Sequence, residues 1–303
     1  MRIAILAKPN RKNGAERLRD AAIAAGHTAD IVDYTKCYCN IEKSNPRIFL
    51  NNQELPKYDA IIPRISIATQ SYGSVIIRQF EMMNVFSTTG SLAFIRTRDK
   101  LRSMQLLARY NLDIPKTAFA RATKNVDDLI DMVGGIPVII KVVKGSQGIG
   151  VLLAETRKTA KSTIQAFISQ KVNILVQEYI AESKGTDIRV VIVGGKVVGA
   201  MKRQSLDEDE FRSNINLGAK GVPVKLTKRE ETVALRAAKA MHLSSVAGVD
   251  LLRSNRGPLV MEVNAFPMLE GIEASTGKDI AGEIISYIER SVSKKPKRDK
   301  VGA

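Results

Sequence analysis

The sequence predicts an open α/β unit followed by a mixed α+β region, and three observations predict it. The first hundred residues alternate short apolar runs with helical stretches. An apolar run at 137–143 leads through a glycine-rich loop into a second apolar run at 151–155. Two further stretches, 187–203 and 246–266, fold back across turn residues. Strand–helix–strand alternation argues for an α/β sheet, and hairpins argue for antiparallel pairing.

Residues 2–7 read as a first strand. Ala15 to Ala25 follows as a helix that Gly26 stops, and Thr28 to Val32 returns as a strand. Tyr58 to Ile65 is another strand and Ser74 to Met83 a helix. Residues 98–110 have the apolar spacing of one amphipathic helix, ended by Leu112 to Pro115. A strand and a helix come next, and Gly134-Gly135 breaks that helix. Pro137 to Val143 and Val151 to Glu155 bracket the glycine loop. A helix at 157–170 leads to a strand at 174–180. Gly194-Gly195 is a good two-residue turn for the first hairpin. Thr227 to Met241 forms a helix with a capping-box spacing between Thr227 and Glu230. Met82, Met83 and the leucines of 98–110 are expected in the core. No internal repeat is present.

The chain has 303 residues, long for one core, so two or three packed units are expected. A hydrophobic content of 44% excludes a disordered chain. No apolar run approaches membrane-spanning length, and the short stretch before Lys8 is a strand rather than a signal peptide. The cytoplasm is the expected location. Cys37 and Cys39 have the wrong spacing for a CxxC site and read as reduced thiols. His27 and His242 are the only histidines, which argues against a His-based metal site or a Ser-His-Asp triad. Metal chemistry would therefore use oxygen ligands, pointing to Mg2+ or Mn2+. The net charge is +16, which attracts polyanions or serves solubility alone. Lys294, Lys295, Lys297, Arg298 and Lys300 against Asp299 give the tail a net +4. That tail is expected to be loose.

Three constellations carry chemistry. The first is Lys141 with the loop Gly145, Ser146, Gln147, Gly148 and Gly150. A lysine inside an apolar run is costly unless its charge meets an anion or solvent. Glycines let backbone N–H groups approach a phosphate, although the loop lacks the GxxxxGK[ST] pattern. A plain hairpin turn with a snorkelling lysine is the alternative. The second is Asp250 with Glu262 and Asn264. A turn centred on Arg256 places Asp250 opposite Glu262, and alternation puts Asn264 on the same face. Two opposed carboxylates call for a cation: a divalent metal, or ion pairs to Arg253 or Arg256. The third is Arg189, Lys202, Arg203, Arg212 and Asn214, with Asp187 and Arg189 on one face of a strand. Each alone is an ordinary surface charge; together they could bind nucleotide and carboxylate.

These segments, in this order, resemble the RimK-type α-L-glutamate ligases of the ATP-grasp superfamily. RDKLRSMQLLAR at 98–109, DLIDMVGG at 128–135, GIGVLLAETR at 148–157 and LVQEYI at 175–180 carry the resemblance. So do FRSN at 211–214, AGVDLLRSNRGPLVMEVNA at 247–265 and LEGIE at 269–273. The resemblance implies an ATP-grasp fold with an N-terminal pre-ATP-grasp α/β domain at 1–97. A small subdomain with the flap at 98–183, a C-terminal subdomain with the metal site at 184–290 and a basic tail at 291–303 would follow. It implies that Lys100 and Lys141 contact phosphates and that the flap, Gly145, Ser146, Gln147, Gly148 and Gly150, closes over them. Glu178, Tyr179 and Ile180 would hold adenine and Asp187 the ribose. Arg212, Ser213 and Asn214 would line the phosphate and substrate side, with Arg189, Lys202 and Arg203 toward substrate and Arg203, Arg212 and Asn214 catalytic. Asp250, Glu262 and Asn264 would hold two Mg2+ or Mn2+ ions per subunit.

The implied reaction converts an acceptor carboxylate to an acyl phosphate with ATP, which the amine of L-glutamate then displaces. The implied acceptor is acidic: the C-terminal glutamate of a small-subunit ribosomal protein, or a growing poly-α-glutamate. A homo-oligomer, a tetramer, is also implied, with no membrane partner. Two stretches depart from the family pattern. Phe266-Pro267-Met268 stands where a small residue, Pro and Gly are usual, and 215–220 lacks the usual Arg-Gly-Gly character. The alternatives are an ATP-grasp ligase acting on another acceptor, such as a carrier protein or a pterin-type cofactor, or a basic RNA- or ribosome-binding protein. An aromatic content of 5% and the lack of an RRM or KH signature weigh against the binder.

Overall fold

The structure is a computed structural model, and it describes residues 1–9, 14–123, 125–143, 150–207 and 209–293. The N-terminal unit runs β1 (Arg2–Leu6), α1 (Ala15–Ala24), β2 (Thr28–Val32), β3 (Cys37–Asn40), β4 (Arg47–Leu50) and β5 (Gln53–Glu54). It continues with β6 (Ala60–Pro63), α2 (Gln70–Met82), β7 (Phe86–Ser87) and α3 (Ser91–Arg98). The middle unit comprises α4 (Lys100–Arg109), β8 (Thr117–Ala120), α5 (Val126–Met132), β9 (Val138–Val142), β10 (Val151–Ala154), α6 (Arg157–Ser169) and β11 (Ile174–Glu178). The C-terminal unit comprises β12 (Thr186–Val193), β13 (Lys196–Gln204), β14 (Lys220–Pro223), α7 (Lys228–Ala240), β15 (Val246–Ser254) and β16 (Gly257–Asn264). Helices α8 (Glu270–Thr276) and α9 (Ile280–Val292) close it.

The first unit holds a parallel sheet in the order β2-β1-β6-β7, and β3, β4 and β5 form a separate antiparallel sheet. The middle sheet has the order β10-β9-β11-β8 and the C-terminal sheet β14-β13-β12-β15-β16, both antiparallel. Strand β1 is buried on both faces: Ala4 and Leu6 join one core, Ile3 and Ile5 another. Parallel strands covered on both faces read as continuous apolar runs, as RIAIL does. Both cores continue into the C-terminal sheet, through Val190 and Ile192 on one face and Val191 and Val193 on the other. The middle sheet packs under α5 and α6 with a core of its own.

Two expectations change. Residues 98–110 are not one helix. Asp99 leaves helical geometry between α3 and α4, and its side chain accepts from the Arg102 N–H at 3.0 Å as the N-cap of α4. Met82 is 44% exposed instead of buried, while Met83 and Leu107 meet the core as expected. Cys37 and Cys39 are both free thiols, and burial pushes Cys37 up to about 12. The Thr227–Glu230 capping box forms.

Candidate active site

The hairpin of β15 and β16 places Asp250 opposite Glu262, by a route that spacing alone does not reveal. The turn is not centred on Arg256: Ser254 pairs with Gly257 across Asn255-Arg256, and that register continues to Leu251 and Val260. Met261 is then skipped, and Asp250 pairs with Glu262 and Gly248 with Asn264. The β-bulge restores the pairing that the tighter turn would have shifted by one residue. Bulges of this kind re-aim side chains near functional sites.

Asp250 is 2% exposed and accepts from two arginines. Arg189 donates through Nε to one oxygen and through Nη2 to the other at 2.7 Å, and Arg203 Nη2 lies 3.0 Å from Oδ2. Arg203 also grips Asp187, at 2.6 and 2.5 Å, and the Ser213 hydroxyl donates to Asp187 at 2.6 Å. Burial would lower the Arg203 guanidinium, but Asp250 and Asp187 outweigh it and hold it above its ordinary value. Burial pushes Asp250 up, and Arg189 and Arg203 more than reverse this. Asp187 ends raised, by burial and by the charge of Asp250 against the pull of Arg203.

This network shows what the predicted residues touch. Arg189 and Arg203 are turned inward to Asp250 and Asp187 rather than outward to substrate, and Arg203 is 5% exposed. Asp187 and Ser213 are sealed with them, so the Asp187 carboxylate presents no face to a ribose. Lys202 is opposite Ile188 and Val222, one residue out of phase with Arg203, and strand alternation turns it to the other face. Arg253 and Arg256 do not neutralise Asp250 either. Arg253 pairs with Glu230 at 2.6 Å and Arg256 with Glu178.

Glu262 is half-buried and has no hydrogen-bond partner among the described residues. Cations surround it: its charge acts on Arg98, Lys100 and Lys141. Lys141 stands on β9 opposite Val151 and Leu175. Burial brings it down to about 8, with Glu262 opposing and Lys100 assisting. Lys100 Nζ lies 3.4 Å from the Val142 carbonyl, and burial lowers it too. Lys100 and Lys141, both expected to contact phosphates, therefore come near each other and near Glu262. Gly145, Ser146, Gln147 and Gly148 lie outside the described residues, as does the tail from Lys294. Gly150 closes onto β9, its carbonyl accepting from the Val142 N–H at 2.9 Å.

At the end of β11 the Glu178 carboxylate accepts from the Lys116 N–H at 2.7 Å and pairs with Arg256, which joins the middle and C-terminal units there. Tyr179 and Ile180 follow at the hinge, and burial raises the Tyr179 hydroxyl. Arg212 folds back on Glu210, at 2.9 and 2.6 Å, which holds it above its ordinary value. Asn214 precedes a short turn, and its carbonyl accepts from the Leu217 N–H at 2.9 Å. Sequence reasoning missed Arg98 and Arg64. Arg64 sits in the apolar run YDAIIPRI, the same signal that singled out Lys141.

The donor set suits a hard divalent cation in part. Asn264 directs its Nδ2 toward Asp250 at 3.5 Å, which leaves its amide oxygen available, and Glu262 has both oxygens available. Asp250 reaches a metal only by exchanging an arginine contact. Among the described residues no cluster of three or more His, Cys, Asp or Glu side chains that could hold a metal is present.

Three units, with one antiparallel sheet beside a second that carries Asp250 and Glu262, beyond an α/β domain, define the ATP-grasp fold with its pre-ATP-grasp domain. Solved structures agree. The ATP-grasp ligase PsnB complexed with minimal precursor has a TM-score of 0.76 at 18% identity, over 95% of this chain and 98% of that one. D-alanine–D-alanine ligase from Bacillus anthracis, complexed with ATP, has a TM-score of 0.67 at 17% identity, over 97% of each chain. Residues 1–94 match the RimK PreATP-grasp domain and residues 97–288 the RimK-like ATP-grasp domain. A probable α-L-glutamate ligase 2 from Shewanella denitrificans is 53% identical over 96% of each chain. A probable α-L-glutamate ligase from Picosynechococcus is 52% identical over 99% of each. The chain belongs to the RimK-like ATP-grasp family of ATP-dependent ligases.

Proposed function

We propose that the chain is an α-L-glutamate ligase that uses ATP to join L-glutamate to a carboxylate through an acyl phosphate. The observation that supports this most is the half-buried gathering of Lys100, Lys141 and Arg98 around Glu262, opposite Asp250. Three cations about one carboxylate leave an excess of positive charge where phosphates and carboxylates would meet. An acceptor carboxylate oxygen attacks the γ-phosphorus, the bond to the ADP oxygen breaks, and an acyl phosphate forms. The glutamate amine then attacks the acyl carbon, phosphate leaves, and the amine proton passes to solvent. No protein nucleophile is needed, in keeping with a chain of two histidines and two raised thiols.

Lys100 and Lys141 hold the phosphates, and fixed cations of this kind stabilise charge that develops in transfer. Glu262 and Asn264, with Asp250, hold Mg2+ or Mn2+, two ions per subunit, which neutralise phosphate charge when bound. The hinge at Glu178, Tyr179 and Ile180 takes adenine through its backbone. The acceptor is an acidic chain end, either a small-subunit ribosomal protein tail or poly-α-glutamate. The enzyme works in the cytoplasm as a homo-oligomer. Among the described residues no helix is long and apolar enough to cross a membrane.

The test is mass spectrometry of acidic acceptors incubated with enzyme, ATP, Mg2+ and L-glutamate. Successive additions of about 129 Da, one glutamyl residue joined as an amide, are expected. ADP release that does not respond to glutamate or acceptor would overturn the reading.

A further inference from the structure

The charge of Glu262 acts on cations of two kinds, the lysines Lys100 and Lys141 and the arginine Arg98. Lys100 also acts on Lys141. Arg98 in turn acts on Arg64, whose own carboxylate neighbour is Glu270. The arginine pair belongs to the N-terminal unit. Arg98 Nη2 donates to the Ile65 carbonyl at 2.8 Å. The guanidinium then lies over two rings, 5.2 Å from the Phe94 centroid and 5.8 Å from that of Phe266, with the rings 5.0 Å apart. Arg98 is half-buried, has no ion pair within 4 Å, and its Nε and Nη1 donate to nothing among the described residues. A guanidinium fixed by one carbonyl and two rings has lost its rotamer freedom before any ligand arrives. The second hydrogen of Nη2, with the neighbouring N–H of Nε or Nη1, leaves a planar fork, the geometry that fits a carboxylate bidentately.

Phe266 departs from the family pattern at this arrangement. It stands in the Phe266-Pro267-Met268 run, where small residues are usual in the resemblance described above. The same loop is fastened to Arg64, whose Nη1 donates to the Pro267 carbonyl at 2.9 Å and whose Nη2 meets the Met268 sulfur at 3.5 Å.

Resting on the ligase reading, we infer that Arg98 binds a substrate carboxylate beside Glu262, and that Phe266 is a positioning residue that holds its guanidinium flat. The carboxylate belongs either to incoming L-glutamate or to the acceptor's terminal glutamate. A nucleotide phosphate is the competing anion.

The test compares the full-length enzyme with Arg98→Gln, Arg98→Lys and Phe266→Ser. Kinetics are taken with L-glutamate, with a peptide ending in Glu-Glu and with the carboxamide analogue of each. Binding of the same compounds is measured by calorimetry with a non-hydrolysable nucleotide present. Arg98→Gln is expected to raise KM for one carboxylate substrate about tenfold or more, as loss of a charge-assisted fork does. Its preference for carboxylate over carboxamide should fall toward unity, and nucleotide affinity should stay within about twofold. Arg98→Lys should not restore the preference, since a point charge lacks the fork. Phe266→Ser should move the same KM in the same direction by less. The substrate whose KM moves identifies the source of the carboxylate. Unchanged affinity for both substrates, or a loss confined to nucleotide, would overturn the assignment. Should Arg98→Gln fail to fold, equal wild-type binding of carboxylate and carboxamide would overturn it instead. If the wild-type enzyme makes no adduct, the ligase reading fails, and the calorimetric comparison still decides the role of Arg98.

Discussion

Lys141 and Asp250 show how differently two buried charges can be used. Lys141 has no fixed counter-ion within 4 Å among the described residues, and burial brings it from an ordinary 10.5 to about 8. Below about pH 8 its charge is a cost to the fold. Between about 8 and 10.5 the folded state has released a proton that the unfolded chain keeps, so stability rises with pH over that window. Nucleotide binding has the opposite sign, because it needs the charge. Calorimetric titration in metal-free buffer should show affinity falling as pH rises through about 8, and Lys141→Arg should flatten the profile. A flat wild-type profile would remove Lys141 from the phosphate site. Asp250 instead has two guanidiniums on it, and its loss leaves them without a counter-charge. Asp250→Asn should cost about 3–5 kcal/mol in stability, as breaking a buried ion pair does. Glu262→Gln should cost less than this, because it leaves no hydrogen-bonded partner behind, although Arg98, Lys100 and Lys141 lose a charge that offsets their burial. It should instead raise the metal concentration giving half-maximal activity. Denaturant melts and a Mg2+ titration of both variants separate the two. Equal destabilisation would mean that Glu262 is structural as well.

At the scale of elements, strong periodicity and turn chemistry were legible, and compensating irregularities were not. The Gly194-Gly195 turn could be read directly because both positions take positive φ, +59° and +74°. The two glycines are nevertheless unequal. A Cβ on Gly194 would lie 2.6 Å from the Tyr287 ring of α9, whereas one on Gly195 would meet nothing within 4 Å. Gly195→Ala should therefore cost about 1 kcal/mol of backbone strain, and Gly194→Ala more, up to about 3. Thermal unfolding of both variants checks this, and equal losses would mean that Tyr287 moves aside freely. The β15–β16 hairpin was read correctly at Asp250 and Glu262 although its turn was placed one residue off, because the Met261 bulge has no sequence mark. The break at Asp99 was hidden because apolar spacing runs through it, and only the cap reveals it. The small sheet of β3, β4 and β5 was missed because its strands are four, four and two residues long. The cationic group around Glu262 was half legible: a lysine in an apolar strand announces itself, whereas Arg98 sits at an ordinary helix end. The inward turn of Arg189 and Arg203 depends on cross-strand neighbours that spacing within one strand does not specify.

At the scale of the molecule, the N-terminal and C-terminal units share two cores, one of which α4 joins through Met104 and Leu107, while the middle sheet with α5 and α6 has a core of its own. The cations around Glu262 come from both the N-terminal and the middle unit. The whole chain has a net charge of +16, of which the segment from Lys294 contributes +4. A surface so charged draws an acidic acceptor toward the cleft, and exposed charges are screened beyond about 8 Å at physiological salt. Initial rates at limiting acidic acceptor should fall steeply as salt rises, and rates at saturating acceptor much less, because steering acts on encounter rather than on chemistry. Truncation before Lys294 should reproduce part of the loss at low salt and leave kcat unchanged. A neutral acceptor supplies the control, since its association has no field to lose. The measurement is kcat/KM for an acidic and a neutral acceptor, with full-length and truncated enzyme, at low and high salt. Identical salt responses for the two acceptors would show that the charge serves another polyanion, and a ribosome- or RNA-binding assay with the same truncation would then follow.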